Sequence, residues 1–314
     1  MPSIHVNQVQ LEYQCFGDRR DPAVLLIMGL GSQMVLWPEA LCRRLAAAGY
    51  HVIRFDNRDV GLSSKLDHLG VPPLAWTALR GRLRLSTRVP YRLDDMAADA
   101  MGLLNALDIE RAHVVGCSMG GMIAQLVAAH WPHRCLSLTA LMTSSGNPEL
   151  PGPSLALRLR MLRRRPADRE AAIRHGMAFW RSVGGRDHVP SDAELRQRVL
   201  LQLDRGCHPP GVARQLAAIL AAPSRVPLLR GIRLPSLVVH GSDDPLIPVA
   251  AAIDLARHLP QCRLEIIPGL GHELPESLVP EMAQMLLDHL GAQAQRRPSQ
   301  HVASRPPMPL AISA

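Results

Sequence analysis

A chain of 314 residues, 47% of them hydrophobic, can bury the core of one large domain or two modest ones, which excludes a disordered or low-complexity polypeptide. Its formal charge of +8 is almost all arginine, with one lysine at Lys65, and no nucleic-acid-binding signature accompanies it, so composition bias is expected and no nucleic acid partner. No run reaches the roughly 20 apolar residues of a membrane span, the first residues lack a signal-peptide pattern, and the six scattered cysteines form no C-x-x-C pair; a soluble cytoplasmic protein is expected.

Short apolar runs alternate with helical patterns, the mark of an α/β protein with a largely parallel sheet. In chain order, strands are predicted at Val9–Cys15, Ala23–Met28, His51–Phe55, Ala112–Val115, Ser137–Met142, Ser236–His240 and Arg263–Ile267. Helices are predicted at Pro38–Ala48, Leu93–Leu107, Met119–His130, Ala250–His258 and Pro280–Leu290. In the second of these, Met96, Ala100, Leu103, Leu104 and Leu107 form a stripe, and Asp94, Asp95 and Asp99 fall in the early turns, where the helix dipole favours them. Two stretches break the alternation. Residues 68–92 are rich in Pro, Arg and Leu, and residues 145–233 hold no good strand and sixteen arginines, densest over Arg158–Arg165. Such excursions at one end of a sheet serve as lids or binding walls. Residues 293–314 lack periodicity and are expected to be a disordered tail.

The chemistry concentrates in Val115-Gly116-Cys117-Ser118-Met119-Gly120-Gly121, a G-x-S-x-G pattern between an apolar strand and a helical run. A serine on so tight a strand-to-helix turn needs neighbours without bulk two residues before and after, as Gly116 and Gly120 supply. The turn exposes the Ser118 hydroxyl and aims the Met119 N–H at a developing oxyanion. Serine is a weak nucleophile; it needs a base, and the base an orienting acid, in the chain order Ser, Asp, His. An acid at Asp243 or Asp244 follows the strand ending at His240, and His272 lies in the Gly-rich loop after the next strand. Cys117 is expected to pack away from the exposed face of the turn, and His113 and His240 to be structural.

These residues make the chain resemble the α/β-hydrolase fold family from about residue 4 to residue 290. Arg54–Ser63 and Tyr91–Asp99 are similar to its loop after the fourth strand and its helix before the turn. Ala112–Gly120 and Pro268–Pro275 bring the likeness nearest to the bacterial esterase group containing aclacinomycin methylesterase. The resemblance implies a mostly parallel eight-stranded sheet flanked by helices with a helical cap: core over 1–144 and 234–292, cap over 145–233. It implies Ser118 as nucleophile, His272 as base and Asp244 as acid, Asp244 having the family's spacing in the turn. It also implies Leu30 N–H, from the Met28-Gly29-Leu30 loop, as partner of Met119 N–H in the oxyanion hole. Met28 departs from the histidine often found there.

The expected activity is that of a serine carboxylic-ester hydrolase on a small to medium apolar ester, with a methyl ester favoured. Thioesterase, lactonase and perhydrolase chemistry, or a ligand sensor on the same fold, stay open. No cofactor or metal is implied: Gly29-Leu30-Gly31 is a poor dinucleotide fingerprint, and no metal-ligand spacing occurs. Asp56-Asn57-Arg58-Asp59 reads as a loop held by its own charges, and most arginines of residues 145–233 as solvated helix faces. Phe179 and Trp180 are candidates to wall the acyl pocket. Oligomeric state is not legible.

Overall fold

The computed structural model describes residues 2–294, apart from 84, 162 and 164. Eight strands form one sheet in the order β1-β2-β4-β3-β5-β6-β7-β8. They are β1 (Ser3–Val6), β2 (Val9–Phe16), β3 (Ala23–Ile27), β4 (His51–Phe55), β5 (Ala112–Cys117), β6 (Cys135–Leu141), β7 (Ser236–Gly241) and β8 (Cys262–Ile267). β1 and β2 pair antiparallel, β2 joins β4 antiparallel, and every later pairing is parallel.

The central strands β3, β4, β5 and β7 are buried at every residue, as expected of parallel strands covered on both faces. One face is covered by α1 (Glu39–Ala47) and α11 (Val279–Ala294), whose Leu41, Leu45, Met282 and Leu286 pack on Leu26, Val52 and Val239. The other carries α3 (Leu93–Ala106), α4 (Met119–His130) and α10 (Ala250–His258), with Leu103, Ile123 and Leu255 in a core shared with Leu25 and Val114. α2 (Leu74–Arg82) lies within the 68–92 stretch. Between β6 and β7 run α5 (Leu155–Met161), α6 (Arg169–Val183), α7 (Asp192–Asp204), α8 (Pro209–Ala221) and α9 (Val226–Leu229), with no strand among the described residues.

Three sequence expectations need correction. β1 was absent from the predicted strands: it is four residues long, half exposed, and closed onto β2 by the two-residue turn Asn7-Gln8, both at positive φ. Asp99 does not serve the helix dipole; it is buried, and Arg58 reaches its two carboxylate oxygens at 2.6 and 2.7 Å. Helix α11 continues through Ala294, beyond the predicted tail boundary, while the rest of that tail lies outside the described residues. Among the described residues no helix is long and apolar enough to cross a membrane.

Candidate active site

Ser118 follows β5 and caps α4 with φ 55° and ψ −120°, a conformation that L-residues rarely hold without support from their surroundings. The support is visible. Ser118 N–H donates to Leu141 O at 2.9 Å, and Thr143 Oγ1 donates to Ser118 O at 2.7 Å. A Cβ on Gly116 would lie 2.1 Å from Gly120 O, and one on Gly120 would lie 2.0 Å from Ile27 O, so both positions exclude any side chain. The glycines that the sequence pattern required are therefore the ones that let the turn close against β3.

Ser118 Oγ lies 3.0 Å from His272 Nε2, and His272 Nδ1 lies 2.7 Å from Asp244 Oδ2. A carboxylate can only accept, so Nδ1 carries the hydrogen and Nε2 is left to accept from the serine hydroxyl. Asp244 is buried at the carboxyl end of β7, where its Oδ1 also accepts from the N–H groups of Leu246 (2.9 Å) and Ile247 (2.8 Å). Burial alone would raise its pKa; the charge of His272, with hydrogen bonds from His240 and His272, outweighs that and holds the carboxyl well below the usual range. Asp243 points elsewhere. It pairs with Arg186 and accepts from Ser242 Oγ at 2.8 Å.

Leu30 lies beside Ser118 on the wall of a cavity of about 100 Å³. Its loop is held from two sides: Asn57 Nδ2 donates to Met28 O at 2.9 Å, and Gly31 N–H donates to Gln215 Oε1 of α8 at 2.8 Å. Met119 is the first residue of α4, where a backbone N–H has no intrahelical acceptor. The rest of the wall is mainly apolar, with Met142, Met161, Phe179, Trp180, Leu246 and Leu274, and Ser32, Arg198 and Glu273 add polar groups. Phe179 and Trp180 thus stand where the sequence reading put its candidates. Among the described residues no cluster of His, Cys, Asp or Glu is suited to a metal ion.

Sequence reasoning missed two polar residues at this site. Glu273, next to His272, lines the cavity with its side chain fully buried and meets Arg198 Nη1 at 3.0 Å. Burial raises its carboxyl, and Arg198 only partly offsets that. His240, read as structural, sits 3.3 Å from Asp244 Oδ2 and donates from Nε2 to Ile247 O at 2.7 Å, so it helps fix the Asp244 side chain. The spacing of four residues between His240 and Asp244 was the available signal. His113 fits its structural reading, with Nδ1 2.8 Å from Ser137 Oγ. Cys117 packs into the core, and burial pushes its thiol up to about 12.

The charged loop after β4 does more than hold itself together. Asp56 accepts from Met34 N–H at 2.7 Å and from Arg205 Nη2 at 2.5 Å, and Asp59 takes both Nε (2.8 Å) and Nη2 (2.7 Å) of Arg214. Arg205 and Arg214 come from the helical excursion, as does Arg225, whose buried guanidinium donates to Gln125 Oε1 (3.0 Å) and Ser144 O (2.9 Å). These three, with Arg198, are exceptions to the solvated helix faces expected of most arginines here, each meeting a partner supplied by a distant part of the chain; Arg169, Arg174 and Arg196 remain exposed on their helices.

Comparison with known proteins agrees with this architecture. A family model described as the alpha/beta hydrolase fold matches residues 22–277. Rhodomycin D methylesterase DnrP of Streptomyces peucetius is 32% identical over 91% of this chain and 96% of its own length. Rhodomycin D methylesterase DauP of Streptomyces sp. (strain C5) is 33% identical over the same shares. Among solved structures, the enol-lactonase from Burkholderia xenovorans LB400 superposes with a TM-score of 0.70 at 22% identity, covering 92% of this chain and all of that one. The chain belongs to the α/β-hydrolase fold family.

Proposed function

We propose that the protein is a serine carboxylic-ester hydrolase. The observation that carries this reading is the hydrogen-bonded series Ser118–His272–Asp244 at 3.0 and 2.7 Å, with the serine held on a strained turn beside a largely apolar cavity. Ser118 Oγ attacks the ester carbonyl as its proton passes to His272 Nε2. The negative charge that develops on the carbonyl oxygen is met by the N–H groups of Leu30 and Met119, each such donor contributing about 3 kcal/mol of barrier lowering. Asp244 keeps the imidazole in the Nδ1–H tautomer and stabilises the imidazolium. His272 then protonates the departing alkoxide, and a water activated by the same Nε2 releases the acid from the acyl-enzyme.

Residues 145–233 serve as the cap of this site. Met161, Phe179 and Trp180 supply the upper wall, which favours an apolar acyl or alcohol group. Two methylesterases at 32% and 33% identity make a methyl ester the favoured substrate class. The test is turnover of p-nitrophenyl esters of increasing chain length and of a methyl-ester panel by the wild type and Ser118→Ala. Hydrolysis that vanishes in Ser118→Ala supports the reading. Hydrolysis at the wild-type rate by Ser118→Ala rejects it.

A further inference from the structure

An ordinary surface helix turns its large apolar residues inward. Helix α2 does the reverse. Its inner arc is built from small residues: Thr77 is buried, and a Cβ on Gly81 would stand 2.2 Å from Leu220 O of α8, so the two helices touch almost backbone to backbone. Its outer arc carries Trp76, Leu79 and Leu83, which at 3.6 residues per turn share one face, and these are 55%, 48% and 58% exposed. With Leu69, Val71 and Leu85, the same short stretch holds six of the thirteen exposed large hydrophobic residues of the described chain. A contiguous patch of this kind marks an interaction surface.

The stretches that carry the patch are rich in arginine, and Asp67, beside Leu69, is already paired with Arg214 and His208. Residues 68–93 contain five arginines and no Asp or Glu, and residues 150–167 contain five more and again no acid. The second stretch shows the same inversion: in α5, Leu155 and Leu159 are exposed on the side opposite buried Leu157, while Met161 reaches the catalytic cavity. The two stretches adjoin, since Val71 shares a surface cleft of about 680 Å³ with Arg165 and Arg169. A second copy of the chain would set one arginine-rich face against another. Residues 295–314 add three arginines and no acid, so they too would meet the patch with like charge.

We propose that this face docks the protein onto an anionic lipid surface, with Trp76, Leu79 and Leu83 entering the headgroup region and the arginines meeting lipid phosphates. Tryptophan and leucine interleaved with arginine on an outward helix face are the chemistry of interfacial anchoring. Each arginine near an anionic bilayer strengthens attachment about fivefold.

The test is sedimentation of the full chain with vesicles of pure phosphatidylcholine, or of phosphatidylcholine with about one-third phosphatidylglycerol, at low and high salt. The expected result is binding to the anionic vesicles at least about tenfold stronger than to neutral ones, weakened by salt. Arg80→Gln/Arg82→Gln should lower it roughly 25-fold, at about fivefold per charge, and Leu79→Ser/Leu83→Ser should abolish most of it, with thermal melting curves showing both variants folded. Absence of wild-type binding to anionic vesicles, or binding unaltered in both folded variants, would overturn the proposal. So would a wild-type dimer that Leu79→Ser/Leu83→Ser converts to monomer without any vesicle binding, which would give the face to a second copy.

Discussion

The backbone N–H of His272 donates to the carbonyl oxygen of Val183 at 2.7 Å, so the loop carrying His272, the proposed base, is fastened to the end of α6. Arg186 and Asp187 N–H groups add donations to Gly269 O at 2.8 and 3.2 Å. The contact is possible because glycines face each other: a Cβ on Gly185 would fall 2.0 Å from Gly269 O. Gly185→Ala should therefore shift the His272 loop. A misplacement of about 1 Å costs roughly a hundredfold in turnover, and the loss should appear in kcat with the fold retained. An unchanged kcat in steady-state kinetics would show that the cap does not position the base.

The two adjacent acids have separate partners, Asp244 with His272 and Asp243 with Arg186. Asp244→Asn should lower kcat by about four orders of magnitude through the wrong imidazole tautomer. Asp243→Asn should leave kcat within about threefold, since it removes an exposed ion pair. Kinetics of the two variants on one chromogenic ester distinguish these roles, and the opposite ranking would exchange them.

Stability should fall on mild acidification. Burial pushes His113 and His289 down to about 4, against about 6.5 in an unfolded chain. Their folded pKa values are depressed, so the stability they contribute is complete above about pH 6.5 and is lost as pH falls toward 4, where the unfolded state binds protons that the folded state refuses. Each can steepen the decline by up to about 1.4 kcal/mol per pH unit. Urea midpoints across this window should show a shallower slope for His289→Leu than for the wild type. Identical slopes would exclude His289 as a source.

The buried pair Arg214–Asp59 joins α8 to the loop after β4, with Tyr91 Oη donating to the same carboxylate at 2.8 Å. Removing one partner of such a pair leaves an uncompensated charge and costs about 3–5 kcal/mol. Arg214→Met should cause that loss in denaturant titration, and Arg214→Met/Asp59→Asn should recover part of it. A double variant no more stable than the single one would show that the two side chains are not coupled.

What the sequence made legible follows physical lines. β3, β4, β5 and β7 are mainly apolar because both their faces are covered, and the turn at Ser118 needs glycines at fixed offsets; both leave local marks. β1 leaves none, being short, half exposed and held by pairing with β2. The few paired arginines of residues 145–233 leave no local mark because their solvation depends on a partner far along the chain: Arg214 meets Asp59 across 155 residues and Arg205 meets Asp56 across 149. Glu273 was passed over for a similar reason, its partner Arg198 lying 75 residues away on α7.

The most direct measurement of the central claim is peptide mass spectrometry on enzyme quenched during turnover of a p-nitrophenyl ester. The account predicts an acyl group on Ser118 and none on the adjacent Cys117, whose thiol, pushed up to about 12, is ionised in only about one molecule in ten thousand at pH 8. An acyl group on Cys117, or full turnover with no adduct and no loss in Ser118→Ala, would contradict it.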